Sequence, residues 1–160
     1  MSRFLIRVLP CIAMVFAAGC SSYDEKFVWA SHSDVKQLLY EGAYSGRWTS
    51  ASHPGGGGSL RCILTQVGAT DLRADFHATW HGFSSSHTVV LHTTPGSRKK
   101  SGGSVRAFEG TSKLRTIIGA GDYTCKGTMD NEVMQACYDA TYDRGTFELH
   151  RVSKNPPKRP

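Results

Sequence analysis

The stretch DLRADFHATWH, residues 71–81, decides the fold, because apolar and polar side chains alternate along it. Ala74, Phe76, Ala78 and Trp80 fall on one side of an extended chain, and Asp75, His77, Thr79 and His81 on the other. A period of two is the signature of a strand with one face turned to a core and one to water. The pattern repeats outward in both directions. Leu60, Cys62 and Leu64 oppose Arg61, Ile63 and Thr65, while Met134, Ala136, Tyr138 and Ala140 oppose Gln135, Cys137 and Asp139. Near the end, Phe147 and Leu149 alternate with Glu148 and His150.

Nine strands are expected on this basis, over 43–48, 59–67, 71–81, 87–94, 104–109, 113–118, 122–128, 133–140 and 145–152. Turn chemistry separates them: HPGGGGS, GAT, GFSSS, PGSRKKSGG, EGT, GAG, MDN and DRG. Before them, residues 33–42 read as one short helix, with Ser33 as N-cap, Val35, Leu38 and Leu39 on one face, and Gly42 as its stop. The expected fold is therefore mainly β: an antiparallel meander of about 8–9 strands closing into a small barrel, which removes the sheet edges. Its polar outer face suits a barrel in water rather than one spanning a bilayer. The inward set mixes small and large residues, so a cavity and a filled core are both compatible with it.

The N-terminus carries an address. Arg3 and Arg7 precede an apolar run from Val8 to Ala17 and the small residues Ala17, Ala18 and Gly19, the order of a secretory signal peptide. Ala17-Ala18-Gly19-Cys20 resembles the lipobox of bacterial lipoproteins. The resemblance implies cleavage before Cys20 and acylation of that residue. Several acyl chains at about 0.8 kcal/mol per buried CH₂ make a stable membrane anchor. Ser21 in place of Asp implies the outer membrane, with the domain facing the periplasm. The expected organisation is a signal peptide over 1–19, a tether over 20–32, the helix and barrel over 33–152, and a disordered basic tail over 153–160. Removing residues 1–19 takes two of the 19 basic residues and none of the 13 acidic ones, leaving 17 − 13 = +4. That charge is spread out apart from Arg98-Lys99-Lys100 and the tail, and export makes a nucleic-acid partner unexpected.

Gly46-Arg47-Trp48 opens the first strand and Arg151 closes the last. This resembles the calycin superfamily of lipocalins, fatty-acid-binding proteins and avidins. There a Gly-x-Trp on strand one meets a basic residue after the final strand, and guanidinium over indole contributes about 0.5–2 kcal/mol. The resemblance implies barrel closure through Gly46, Trp48 and Arg151, and a helical turn beneath the barrel. The second lipocalin motif is missing, since Thr70-Asp71 stands far too early. The barrel segment of about 110 residues is nearer in length to avidin or to calycin-like bacterial protease inhibitors. The cadence at the C-terminal end resembles uncharacterised bacterial envelope proteins, which lend no function.

No catalytic constellation assembles. Ser33 to Lys36 and Ser97 to Lys100 match Ser-x-x-Lys without its partner motifs, and Lys126-Gly127-Thr128 has the wrong order. Gly55 to Gly58 lack a following GK[ST] and read as a flexible hairpin loop. Among His77, His81, His87 and His92, read as surface residues, pairing of strands three and four at a residue sum of 169 would set His77 across from His92, with His81 beside Thr88, on a solvent face. Two such ligands fall short of a zinc site. Cys62 and Cys125 have inward parity and Cys137 outward, leaving a Cys62–Cys125 link and no disulfide as alternatives.

Two functions stay open, neither enzymatic and neither with a cofactor or metal. In the first, a lipid-anchored barrel binds an apolar or amphipathic ligand through Trp48, Phe76, Trp80, Tyr123, Tyr138 and Phe147. In the second, a filled barrel acts through loops 50–58 and 95–103 as an inhibitor or an envelope assembly factor.

Overall fold

The alternation is satisfied by eight strands that close on themselves. The computed structural model describes residues 22–32, 40–94, 104–116 and 119–152. Its strands are β1 (Gly42–Ser50), β2 (Gly57–Gln66), β3 (Asp71–Trp80), β4 (Phe83–Thr94), β5 (Arg106–Thr116), β6 (Gly119–Met129), β7 (Val133–Ala140) and β8 (Asp143–Arg151). Each pairs antiparallel with the next, and β8 returns to β1, so the sheet is a closed meander barrel. Closure pairs Tyr44 with Arg151 and Trp48 with Phe147.

The predicted parity holds strand by strand. Leu60, Cys62, Leu64, Ala74, Phe76, Met134, Ala136, Phe147 and Leu149 all point inward and are buried. The interior divides into two zones. At the base, where β1 begins and β8 ends, Tyr44, Leu64, Leu72, Leu91, Met129, Met134 and Leu149 are almost fully excluded from solvent. Arg106 and Arg151 cover this end, their guanidinium carbons 5.0 Å from the Tyr40 ring and 5.8 Å from the Tyr44 ring. The opposite half is not filled.

Four expectations need correction. The strands expected over 104–109 and 113–118 are one, β5, which runs straight through Gly110-Thr111. Gly110 marks a close approach and not a turn: a Cβ there would lie 2.7 Å from Val89 Cγ1 and 2.7 Å from the Val90 carbonyl oxygen. The β3–β4 connection is only His81-Gly82, both with positive φ (45° and 84°), so the following serines belong to β4. The register moves accordingly, pairing His77 with Ser86 and His92 with Asp71 instead of His77 with His92.

The fourth correction concerns the stretch before the barrel. Residues 22–32, expected as a polar tether, are helical (α1). Tyr23, Phe27 and Ala30 recur at helical spacing and turn toward the barrel wall, Tyr23 and Ala30 being buried. Tyr23 stacks on His77 at 4.7 Å and donates to the Asp75 carbonyl at 3.1 Å. The Arg61 guanidinium lies 5.2 Å from the Tyr23 and Phe27 ring centroids and pairs with Asp24 at 2.7 Å. The helix expected over 33–42 falls mostly outside the described residues, and Gly42, expected as its stop, opens β1 with φ 135°.

Candidate ligand cavity

The unfilled half of the barrel is a cavity of about 390 Å³ that opens between the β1–β2, β3–β4 and β7–β8 connections. That volume lies within the range of small-molecule sites. Its wall brings together all six aromatic residues expected to bind the ligand: Trp48, Phe76, Trp80, Tyr123, Tyr138 and Phe147. They come from five different strands, so the closure of the sheet is what assembles them.

The rings form a connected cage. Trp48 meets Trp80 edge-on at 6.2 Å and 82°, and Tyr138 edge-on at 6.3 Å and 75°. Tyr138 stacks on Tyr123 at 6.2 Å, and Phe76 meets Phe147 at 5.5 Å and 64°. Such arrangements fix the rings in place through their quadrupoles as well as their area. Leu60, Ala78, Leu114 and Ala140 fill the wall between them.

His87 belongs to this wall and not to a solvent face. It shares the inward parity of Val89 and Leu91, stacks on Phe76 at 5.2 Å, and meets Tyr123 edge-on at 4.8 Å. Burial lowers its pKa from 6.5 to about 4, so the imidazole is neutral at pH 7. Its Nε2 and the Trp48 Nε1 are buried without a hydrogen-bond partner among the described residues. The alternation already visible in residues 87–91 was the signal for His87.

One carboxylate stands at the mouth. Asp143 accepts hydrogen bonds from Ser50 Oγ at 2.6 Å and from the Tyr138 hydroxyl at 2.7 Å, and His53 Nδ1 lies 3.7 Å away. Burial and then the Asp143 hydrogen bond push the Tyr138 phenol well above its usual range. Tyr138 therefore stays a donor with its oxygen fixed beside Asp143. The glycine run also shapes this end: Gly56 and Gly57 line the cavity, and a Cβ on Gly58 would lie 1.8 Å from the Thr79 carbonyl oxygen. Bare backbone is needed there to bring β2 against β3 beside Trp48. The run is thus only partly the loop expected of it.

The closure residues separate into two places. Gly46 sits where β1 crosses β8, and a Cβ would lie 2.0 Å from the Glu148 carbonyl oxygen. Arg151 lies over Tyr44 at the base and donates to the carbonyls of Glu41 and Asn131, while Trp48 is four residues up the strand in the cavity wall. The cation–π contact expected between Arg151 and Trp48 is made with Tyr44 instead.

Cys62, Cys125 and Cys137 are free thiols, the first two buried and the third exposed, so the alternative without a disulfide is the one adopted. Burial raises the Cys62 pKa and pushes that of Cys125 up to about 11. Cys20, loop 95–103 and the tail 153–160 lie outside the described residues. Comparison with family models, with curated proteins and with solved structures finds no match for the chain.

Proposed function

We propose that this chain is a lipid-anchored protein of the bacterial envelope whose barrel binds a small apolar or amphipathic ligand. The observation that carries the reading is the cavity of about 390 Å³ walled by aromatic rings in a barrel whose other half is packed solid. A fold of this size gains stability by filling its interior, so an unfilled, ring-lined half is the feature a binding site requires. The anchor reading is supported by the lipobox-like Ala17-Ala18-Gly19-Cys20, and an outer-membrane site facing the periplasm by Ser21. The role is binding and not catalysis: what supports this is that His87, the one imidazole deep in the cavity, packs between Phe76 and Tyr123.

The test is native mass spectrometry of the full-length protein extracted from membranes. A co-purifying small species that is lost in Trp80→Ala is expected, and a bare protein mass across several extractions would count against the ligand. Labelled palmitate should be incorporated into the wild type in cells and not into Cys20→Ala; an unlabelled wild type would overturn the lipid anchor.

A second reading, a protein-interaction module, draws support from Phe83 and Tyr142, which stand at turns beside the mouth with just over half their surface exposed. A partner captured by the wild type and lost in a Phe83→Ser/Tyr142→Ser variant that still binds its ligand would favour it.

A further inference from the structure

Resting on the ligand-binding reading above, we propose that the cavity selects an organic cation: an apolar or aromatic body carrying an ammonium or quaternary ammonium group. Two independent features of the site point the same way. The first is the wall. Trp48, Trp80, Tyr123 and Tyr138 meet one another edge-on or stacked around a single space, and aromatic rings present a negative face to whatever lies over them. A group of rings around one space is the arrangement that holds a cation by its charge and an alkyl group by its area.

The second is the charge balance. The chain carries 19 lysines and arginines against 13 acidic residues, yet among the described residues no lysine or arginine lines the cavity. The one acidic residue there is Asp143, held at the mouth by Ser50 and the Tyr138 hydroxyl, with His53 at 3.7 Å as its nearest imidazole. Deeper in, burial keeps His87 neutral, so it offers no counter-charge to an anion. An anionic ligand such as a carboxylate would meet ring faces and Asp143 with no lysine or arginine of the described residues beside it. A cation whose charge sits near Tyr138 and Asp143 meets a carboxylate and ring faces together, and its apolar part reaches down to Phe76 and Phe147. The two orphaned buried nitrogens, Trp48 Nε1 and His87 Nε2, are uncharged and do not alter that balance.

The test uses three probes of similar size in isothermal titration calorimetry of the full-length protein at pH 8. They are benzyltrimethylammonium, its uncharged isostere neopentylbenzene, and the anion 3-phenylpropionate. The expected result is that the cation binds about tenfold or more tighter than the isostere, the scale of a desolvated cation–π contact, with the anion weakest. Neopentylbenzene or the anion binding as tightly as the cation would overturn the cation preference and leave the ligand-binding cavity standing. No binding by any probe at millimolar concentration would overturn both. In Asp143→Asn the cation should lose roughly two- to fivefold in affinity, a surface-level charge interaction, with neopentylbenzene unchanged. An unchanged cation affinity in that variant would overturn the placement of the charge at Asp143. The wild-type comparison does not depend on the variant folding.

Discussion

The same substitution at two positions on one strand should have opposite effects on stability. Ala74 and Ala78 both point inward from β3, four residues and about 13 Å apart. Ala74 sits in the packed base with no exposed surface, while Ala78 lines the cavity. Replacing Ala74 by Leu forces extra carbons between Leu64 and Val89, its neighbours across β2 and β4, and overpacking of this kind costs about 1–3 kcal/mol. Replacing Ala78 by Leu inserts the same atoms into empty space. Three added carbons at about 0.8 kcal/mol each set a ceiling of about 2.4 kcal/mol. Freezing the new side chain removes about 0.5–1 kcal/mol of that, and a cavity open to water on one side recovers only part of the rest. Ala78→Leu should therefore be between neutral and about 1 kcal/mol more stable than wild type. The gap between the variants runs from about 1 to about 4 kcal/mol, or about 4 °C in Tm per kcal/mol for a domain of this size. Thermal and urea unfolding followed by far-UV circular dichroism read it directly. If Ala78→Leu is destabilised as much as Ala74→Leu, the upper half of the barrel is filled and the cavity is wrong. If the gap appears, Ala78→Leu should also weaken binding of the ligand by occupying its space.

Three further outcomes follow from the same geometry. Gly46→Ala drives a Cβ into the Glu148 carbonyl at the β1–β8 seam and should lower stability by roughly 3 kcal/mol or more; a melting curve within about 2 °C of wild type would refute the close approach. His87, with its folded pKa lowered to about 4 against 6.5 unfolded, is neutral in both states above pH 6.5 and adds no pH dependence there. Below that pH the unfolded chain takes the proton first, so stability should fall by about 3 kcal/mol between pH 6.5 and 4, and His87→Phe should flatten that part of the urea-midpoint profile. Of Cys62, Cys125 and Cys137, only the exposed Cys137 should be alkylated by iodoacetamide in the native protein, with all three reacting in urea. Native labelling of Cys62 would show that the barrel opens on the timescale of the reaction.

Much of this barrel was legible because an antiparallel sheet with one buried face writes its geometry into every second residue. Parity picked out Phe76, Trp80, Tyr138 and Phe147, and with Trp48 of the Gly-x-Trp and Tyr123 they emerge on one cavity wall, although nothing local in the sequence says that they touch. What parity cannot supply is register, because register depends on turn length, and there the reading failed at GFSSS: a two-residue turn at His81-Gly82 and a five-residue one leave similar composition but shift every cross-strand pair. That single shift moved His77 away from His92. Glycine misled for a related reason. Gly110 and Gly58 carry the composition of a break, yet each stands where a neighbouring strand or side chain comes too near for a Cβ, so they continue a strand rather than end one.

Helix α1 was missed for another reason, since its polar majority suggested a tether. The helical spacing of Tyr23, Phe27 and Ala30 was present all the same. Its docking matters to the proposed anchor. If Cys20 carries the lipid, only two residues separate it from Tyr23, which is stacked on His77 and bonded to the Asp75 carbonyl. A short link from lipid to barrel wall would hold the domain close to the bilayer instead of letting it range on a flexible leash. The cavity would then take its ligand at the membrane surface, where amphipathic cations with an apolar body concentrate.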